Sequence, residues 1–242
     1  MPSPDVHMNW DNLLFLHWPV DAERMRALVP ADFEIDTYEG SAWVGLVPFK
    51  MANCRFRGVP RLASTTNFLE CNVRTYVRAR GVPGVWFFSL DAQTLLPVLG
   101  GRWLWSLNYV HSDFEVTHEA GVTDYRLKRR RGPWPAAHTH IRWRTGEPLA
   151  RPTAANALNS DTRGPPADLI SFLTDRFWLF TRRFGRVRGG RIAHASWPLR
   201  SAELLHLDDS TIRAAGLDVR GEPLVLASEH VAVEGYGLGK VE

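Results

Sequence analysis

The side chains best placed to do chemistry lie on one short run, Glu70-Cys71-Asn72-Val73-Arg74-Thr75-Tyr76-Val77. Read as a strand, its two-residue period puts Glu70, Asn72, Arg74 and Tyr76 on one face. Cys71, Val73, Thr75 and Val77 take the other. A carboxyl, an amide and a guanidinium in one row can orient a small polar ligand, and the carboxyl can act as acid or base. On an open sheet this face would point to solvent, and the pattern alone favours that. Inside a barrel it would line the interior, with Glu70 and Arg74 neutralising each other. The next strand offers Ser89 and Asp91 on one face and Trp86, Phe88 and Leu90 on the other.

Other constellations are weaker. His138 and His140 share a strand face and could supply two metal ligands, but no third ligand is matched. The favoured reading is a polar face continuing through Arg142 and Arg144, with no metal. Arg182, Arg183, Arg186, Arg188 and Arg191 interleave with Phe177, Trp178, Phe180 and Phe184. Cations alternating with aromatics can bind single-stranded nucleic acid. A net charge of only +3 favours a hairpin with buried aromatics and solvated arginines instead. No GxGxxG, Walker or GxSxG motif occurs. Residues 235–240 are glycine-rich, but no helix follows to hold a phosphate, and they read as a flexible tail.

Composition limits the chemistry further. Of 29 basic side chains, three are lysine (Lys50, Lys128 and Lys240) and the rest arginine. Any reaction that needs a desolvated amine has three candidates. Ten Trp imply a core or pocket rich in aromatic surface. A chain of 242 residues buries enough surface to need neither disulfide nor metal. Cys54 and Cys71 form no CxxC, so no disulfide framework or zinc site is expected. The run at 13–16 is too short for a signal-peptide core or a membrane span. The expectation is a soluble, cytoplasmic protein with no membrane or nucleic-acid partner, no cofactor and a possible homo-oligomeric state.

The elements that must position these residues follow from pattern. Asp21 caps a helix over 22–29, which Pro30 stops. Strands are predicted over 33–38 and 42–51, where Pro48 indicates an edge or a bulge. A hairpin joins 70–79 to 85–91 around 80–84, and a helix spans 93–105. Strands follow over 109–118, 123–130 and 137–144, then a long loop over 145–167 and a helix over 167–177. Two strands meet at Arg188-Gly189-Gly190, and a last strand covers 224–233. Many antiparallel strands with two or three inserted helices give an α+β fold on a barrel or sandwich, a single domain over 1–242.

Several segments carry a resemblance. The run from Trp18 to Pro30 and Phe33-Glu34-Ile35-Asp36 resembles the N-terminal helix and strand of acetoacetate decarboxylases. Phe15-Leu16-His17-Trp18-Pro19-Val20, Trp43-Val44-Gly45-Leu46-Val47-Pro48-Phe49, Glu70–Val77 and Gly84-Val85-Trp86-Phe87-Phe88-Ser89-Leu90-Asp91-Ala92 resemble more closely the YqjF-like bacterial family, of unknown function, in the same superfamily. The late Phe180-Thr181-Arg182-Arg183 and Trp197-Pro198-Leu199 also fit. The resemblance implies a mainly antiparallel, cone-shaped barrel around an internal pocket.

In the decarboxylases a pocket lysine forms a Schiff base with a keto acid, its pKa lowered by an apolar site and a neighbouring cation. The resemblance places that lysine at Tyr109 and the cation at Val110. The catalytic arginine would fall near Trp10 or Asp11, and one of two pocket glutamates near Gly45. The other matches Glu70. The implied fold is kept and the implied Schiff-base chemistry is not. Because the superfamily turns that glutamate inward, Glu70, Asn72 and Arg74 become pocket-lining candidates. Glu70 and Tyr109 are the candidate catalytic residues. Asn72, Arg74, Trp86, Ser89, Asp91, His17 and Trp18 are the candidate ligand contacts. The expected function is binding of a small carbonyl or carboxylate compound. The alternatives are acid–base chemistry in the same pocket, or a nucleic-acid- or protein-binding module using the 182–191 arginines.

Overall fold

The computed structural model describes residues 3–58, 66–149 and 167–241. Most of the loop predicted over 145–167 lies outside them. Twelve strands form one continuous sheet that closes on itself twice. Its shared wall runs β12 (Leu224–Gly235), β1 (Val6–Val20), β3 (Ala42–Phe56), β4 (Phe68–Ala79) and β5 (Val82–Ala92). A two-residue strand, β2 (Glu34–Ile35), pairs with the end of β4.

Each border of this wall divides between two neighbours. β5 pairs in parallel with β9 (Trp178–Arg183) at Val85 and Trp86, and with β6 (Tyr109–Glu119) from Leu90 to Ala92. β12 pairs with β10 (Arg186–His194) at Val233 to Gly235, and with β11 (Leu199–Asp209) at Leu226 to Ser228. The β9–β10 hairpin therefore closes a smaller ring. β6, β7 (Val122–Arg129), β8 (His138–Pro148) and β11 close a larger one. Closure removes the open edges a curved sheet would otherwise present. Four helices are fully contained in the described residues: α1 (Ala22–Leu28), α2 (Leu95–Leu104), α3 (Ala167–Thr174) and the single-turn α4 (Thr211–Ala214). None is long and apolar enough to cross a membrane.

Local chemistry sets the hairpins. Arg80-Gly81, Ala120-Gly121 and Phe184-Gly185 each place two consecutive residues at positive φ. That conformation gives two-residue turns whose twist matches the flanking strands. The β9–β10 turn is thus Phe184-Gly185, not the predicted Gly189-Gly190, which lie inside β10. A Cβ on Gly190 would stand 2.8 Å from the Trp105 ring, and one on Gly189 2.9 Å from Trp178. Those glycines admit aromatic side chains rather than make a bend.

Pro48 lies on an interior strand, paired with Cys71 of β4. On its other side the β1–β3 register slips between Asp11 and Leu16, where Asn12 adopts φ 52°. The proline's missing donor is accommodated by that bulge. The terminal glycine run is no free tail. Gly189 and Gly239 exchange backbone hydrogen bonds, the Gly237 amide donates to Asp5, and Val241 is buried. β1 beyond its apolar centre and the whole of β11 carry no clean alternation, and neither was predicted.

The larger ring is filled by a packed core that includes Leu16, Trp18, Val73, Tyr125, Ile141 and Trp143. One buried ion pair fastens β5 to β7 there. Arg129 Nε and Nη2 donate to the two Asp91 carboxylate oxygens at 2.8 and 2.9 Å. Ser112 donates to Asp91, and Arg129 also donates to Ser89. Both partners are almost fully buried, so removing either strands a charge. Asp91→Ala or Arg129→Ala is expected to lower stability by about 3–5 kcal/mol. Joint replacement by Leu and Met is expected to cost much less than the two single losses combined. Chemical denaturation of the set checks this, and simple additivity would contradict it.

Candidate functional site

The smaller ring keeps a cavity of about 620 Å³, within the range of small-molecule sites. Its walls are mostly apolar, with Leu13, Val47, Phe49, Leu90 and Ile192 among them, and α2 covers one side. The polar face of β4 supplies Glu70, Asn72 and Arg74, and the start of β6 supplies Tyr109.

Glu70 is buried, and burial pushes its carboxyl up to about 8. Hydrogen bonds from Tyr109 and Asn72 pull the other way without prevailing. At neutral pH this acid is protonated. Tyr109 Oη donates to Glu70 Oε2 at 3.0 Å, and the phenol's pKa is held well above its ordinary value by burial and then by Glu70. Tyr109 is placed by α2. A Cβ on Gly101 would lie 2.3 Å from its ring, so only glycine lets the helix rest on it.

Arg74 is buried and does not pair with Glu70. Four residues along a strand separate the two Cα atoms by about 13 Å, so the expected neutralisation fails on distance. Its guanidinium lies 5.6 Å from the Phe15 ring centroid and 5.8 Å from that of Tyr76. Nη2 donates to the Leu173 carbonyl at 3.3 Å, while Nε has no hydrogen-bond partner among the described residues. Among the described residues, no carboxylate forms an ion pair with it. Asn72 Oδ1 is likewise buried without a hydrogen-bond partner among the described residues.

Five expected contacts stand elsewhere. The β4–β5 register slips between Val73 and Arg74, leaving Phe88 as an extra residue that reverses the phase of β5. Val85, Phe87 and Leu90 consequently line the cavity. Trp86 packs on Phe33 at 5.1 Å, and Ser89 and Asp91 belong to the Arg129 clamp. Trp18 is a core residue whose Nε1 donates to the Gly221 carbonyl.

His17 lies behind Arg74, stacked on Phe15 and 2.7 Å from Tyr76 Oη. Tyr76 donates its one proton to the Leu173 carbonyl, so His17 Nε2 carries hydrogen and donates to the phenol. Burial and then the Arg74 cation hold the imidazole neutral. Gly45, which the resemblance aligned with a glutamate, gives this ring room: a Cβ there would be 3.0 Å from it. His138 and His140 face Asp208 and Asp124 at the surface.

Sequence reading missed the aromatic end of the cavity. Trp10 stacks on Trp197 at 5.8 Å, and His194 lies 4.8 Å from Trp197. Trp197 Nε1 donates to the Thr174 carbonyl. Arg176 also lines the cavity but is paired with Asp36 at 2.6 Å. Trp10 had no signal in the residue pattern once β1 went unrecognised, although the resemblance set the catalytic-arginine position near it, and the Trp197-Pro198 pair carried only its family likeness.

Residues 7–232 match DUF2071, described as an uncharacterized conserved protein. The chain belongs to this family. The uncharacterized protein YqjF of Bacillus subtilis (strain 168) is 36% identical over 198 residues, covering 82% of this chain and 76% of that protein. Among solved structures, the enduracididine biosynthesis enzyme MppR complexed with pyruvate superposes with a TM-score of 0.63 at 14% identity, covering 99% of this chain and 91% of that one. Acetoacetate decarboxylase from Legionella pneumophila gives 0.62 at 13%, covering 99% and 88%. An acetoacetate decarboxylase-like enzyme from Sphingomonas wittichii RW1 gives 0.62 at 11%, covering 100% and 94%. These likenesses establish the acetoacetate decarboxylase-like barrel. In this DUF2071 chain Lys50, Lys128 and Lys240 are all exposed and none lines the cavity.

The raised Glu70 pKa has a thermodynamic consequence. Between the ordinary carboxyl value near 4.5 and about 8, the folded chain holds a proton that the unfolded chain has released. Its contribution to stability is therefore greatest at low pH and is lost as pH rises through that window, by up to about 1.4 kcal/mol per pH unit. Glu70→Gln keeps the shape without the titration and is expected to flatten that slope in denaturation curves taken across pH. An unchanged slope in the variant would remove Glu70 as its source.

Proposed function

We propose that this protein binds a small carboxylate compound with an apolar body in the cavity. The single observation that carries the reading is Arg74, a buried cation that forms no ion pair with a carboxylate among the described residues. Among the described residues the other charges at the cavity do not balance it: Glu70 is mainly neutral below about pH 8, Arg176 is engaged by Asp36, and Asp5 is engaged by Arg57. A buried unpaired charge is costly, and a ligand carboxylate is the complement of one cation. The free Nε and the Nη groups give it charge-assisted hydrogen bonds. The protonated Glu70 and the Asn72 amide can meet a ligand carbonyl, and the Leu, Val and aromatic walls take the apolar body. With Cys54 and Cys71 both free and buried, we place the protein in the cytoplasm.

A second reading rests on Glu70 itself. A protonated acid hydrogen-bonded to Tyr109, in a cavity that also holds the Arg74 cation, can deliver a proton to a bound carbonyl compound, which makes turnover without an imine feasible. It predicts turnover that Glu70→Gln abolishes while binding persists.

Calorimetric titration separates binding from its absence, using octanoate, its 2-oxo derivative and the neutral octanamide. The acids are expected to bind and the amide to bind far more weakly. Arg74→Gln is expected to weaken the acids by roughly ten- to a hundredfold, the worth of a hydrogen bond to a charged group. Equal affinity for acid and amide, or acid binding indifferent to Arg74→Gln, would sink the proposal.

A further inference from the structure

We infer that the face formed by α2 and the β9–β10 hairpin tip docks on an anionic phospholipid surface. A helix at a protein surface normally shows one apolar stripe and one polar face. α2 reads Leu95-Leu96-Pro97-Val98-Leu99-Gly100-Gly101-Arg102-Trp103-Leu104 and carries one charged residue. Its inner side holds buried Val98 and rests Gly101 on Tyr109. Its outer side is apolar too. Leu95, Leu96, Leu99, Trp103 and Leu104 are about half exposed or more, with Trp103 at 83%.

The hairpin tip extends the same face. Phe184 is 90% exposed and is held outward by the two-residue turn. Arg183 links the two elements: its Nη1 donates to the Leu104 carbonyl, and its guanidinium lies 5.4 Å from the Phe184 ring centroid. Six of the ten large apolar side chains exposed among the described residues belong to this one region.

Charge selects the occupant. No acidic residue occurs between Asp91 and Asp113, or between Asp175 and Glu203. Of the arginines in the second interval, Arg182 is taken by Asp32. Arg183, Arg186 and Arg188 surround Phe184 and, among the described residues, form no ion pair with a carboxylate. A second copy of this face would set arginine against arginine. Trp, Leu and Phe protruding from a convex helix and a hairpin tip, beside several arginines, match the bilayer interface with anionic headgroups. This is contact from the surface, distinct from a spanning segment. Leu96 and Leu104 also line the cavity, so the docked face adjoins a route into it. Docking at this face does not depend on carboxylate binding in the cavity.

The test is co-sedimentation of the full chain with phosphatidylcholine vesicles and with equimolar phosphatidylcholine and phosphatidylglycerol. Size-exclusion chromatography and a single-stranded oligonucleotide titration are run alongside. Binding is expected to the anionic vesicles only, weakening with salt and accompanied by a blue shift of tryptophan emission. Arg186→Glu is expected to weaken it at least roughly fivefold. Trp103→Ser should remove the blue shift, and Phe184→Ser should reduce binding. None of these three side chains lines the cavity or the core, and circular dichroism with thermal melting reports whether each variant is intact. Three results would each overturn the inference. One is no binding to anionic vesicles. Another is binding indifferent to all three substitutions. The third is a dimer or an oligonucleotide complex that these substitutions abolish while vesicle binding is absent.

Discussion

Closure of the sheet on both faces of β4 is the constraint on which the rest depends. β4 has hydrogen-bonded neighbours on each side and is covered in both directions, by packed core on one face and by the cavity on the other. A strand so enclosed has no solvent side, so Glu70, Asn72, Arg74 and Tyr76 must meet protein groups or a ligand. Tyr76 meets His17 and the Leu173 carbonyl. Glu70 meets Tyr109 and takes up a proton. Arg74 is left with a weak carbonyl contact and two aromatic rings, which do not neutralise it.

The same closure divides labour between the two rings. The larger ring fills its interior and secures it with a fully satisfied ion pair, Asp91 with Arg129. The smaller ring holds a buried cation, Arg74, that pairs with no carboxylate among the described residues, in a mostly apolar cavity. Both contain buried charge, and partner count separates a fastening from a site. At the latter the lysine-free composition matters, because a phenol at Tyr109 can hold or donate a proton but cannot form an imine. A barrel shared with decarboxylases therefore carries a different set of chemical options in this DUF2071 chain.

Much of this was legible in the sequence where a residue's period stayed in step with its neighbours. The alternation across Glu70 to Val77 survives as written, and the family likeness decided which face turns inward. The hairpin between β6 and β7, α2 and the closed barrel were also legible. The failures share a physical cause, an inserted residue that resets the phase. Phe88 does this on β5 and sent Trp86, Ser89 and Asp91 away from the cavity. Asn12 does it on β1 and hid both the strand and Trp10. The Glu70–Arg74 pairing failed for a simpler reason, since residues that share a strand face need not be within reach. The apolar outer side of α2 was visible in composition, but only the structure shows it exposed.

The central claim is that Arg74 waits for a ligand carboxylate beside an acid that is already protonated. A crystal structure grown near neutral pH with a medium-chain carboxylate tests it most directly. The account predicts the carboxylate oxygens within hydrogen-bonding distance of Arg74 Nε and Nη, with the chain against Leu13, Val47 and Phe49 and the Tyr109–Glu70 contact preserved. A carboxylate bound in the cavity away from Arg74, or Arg74 turned onto an ionised Glu70, would contradict it.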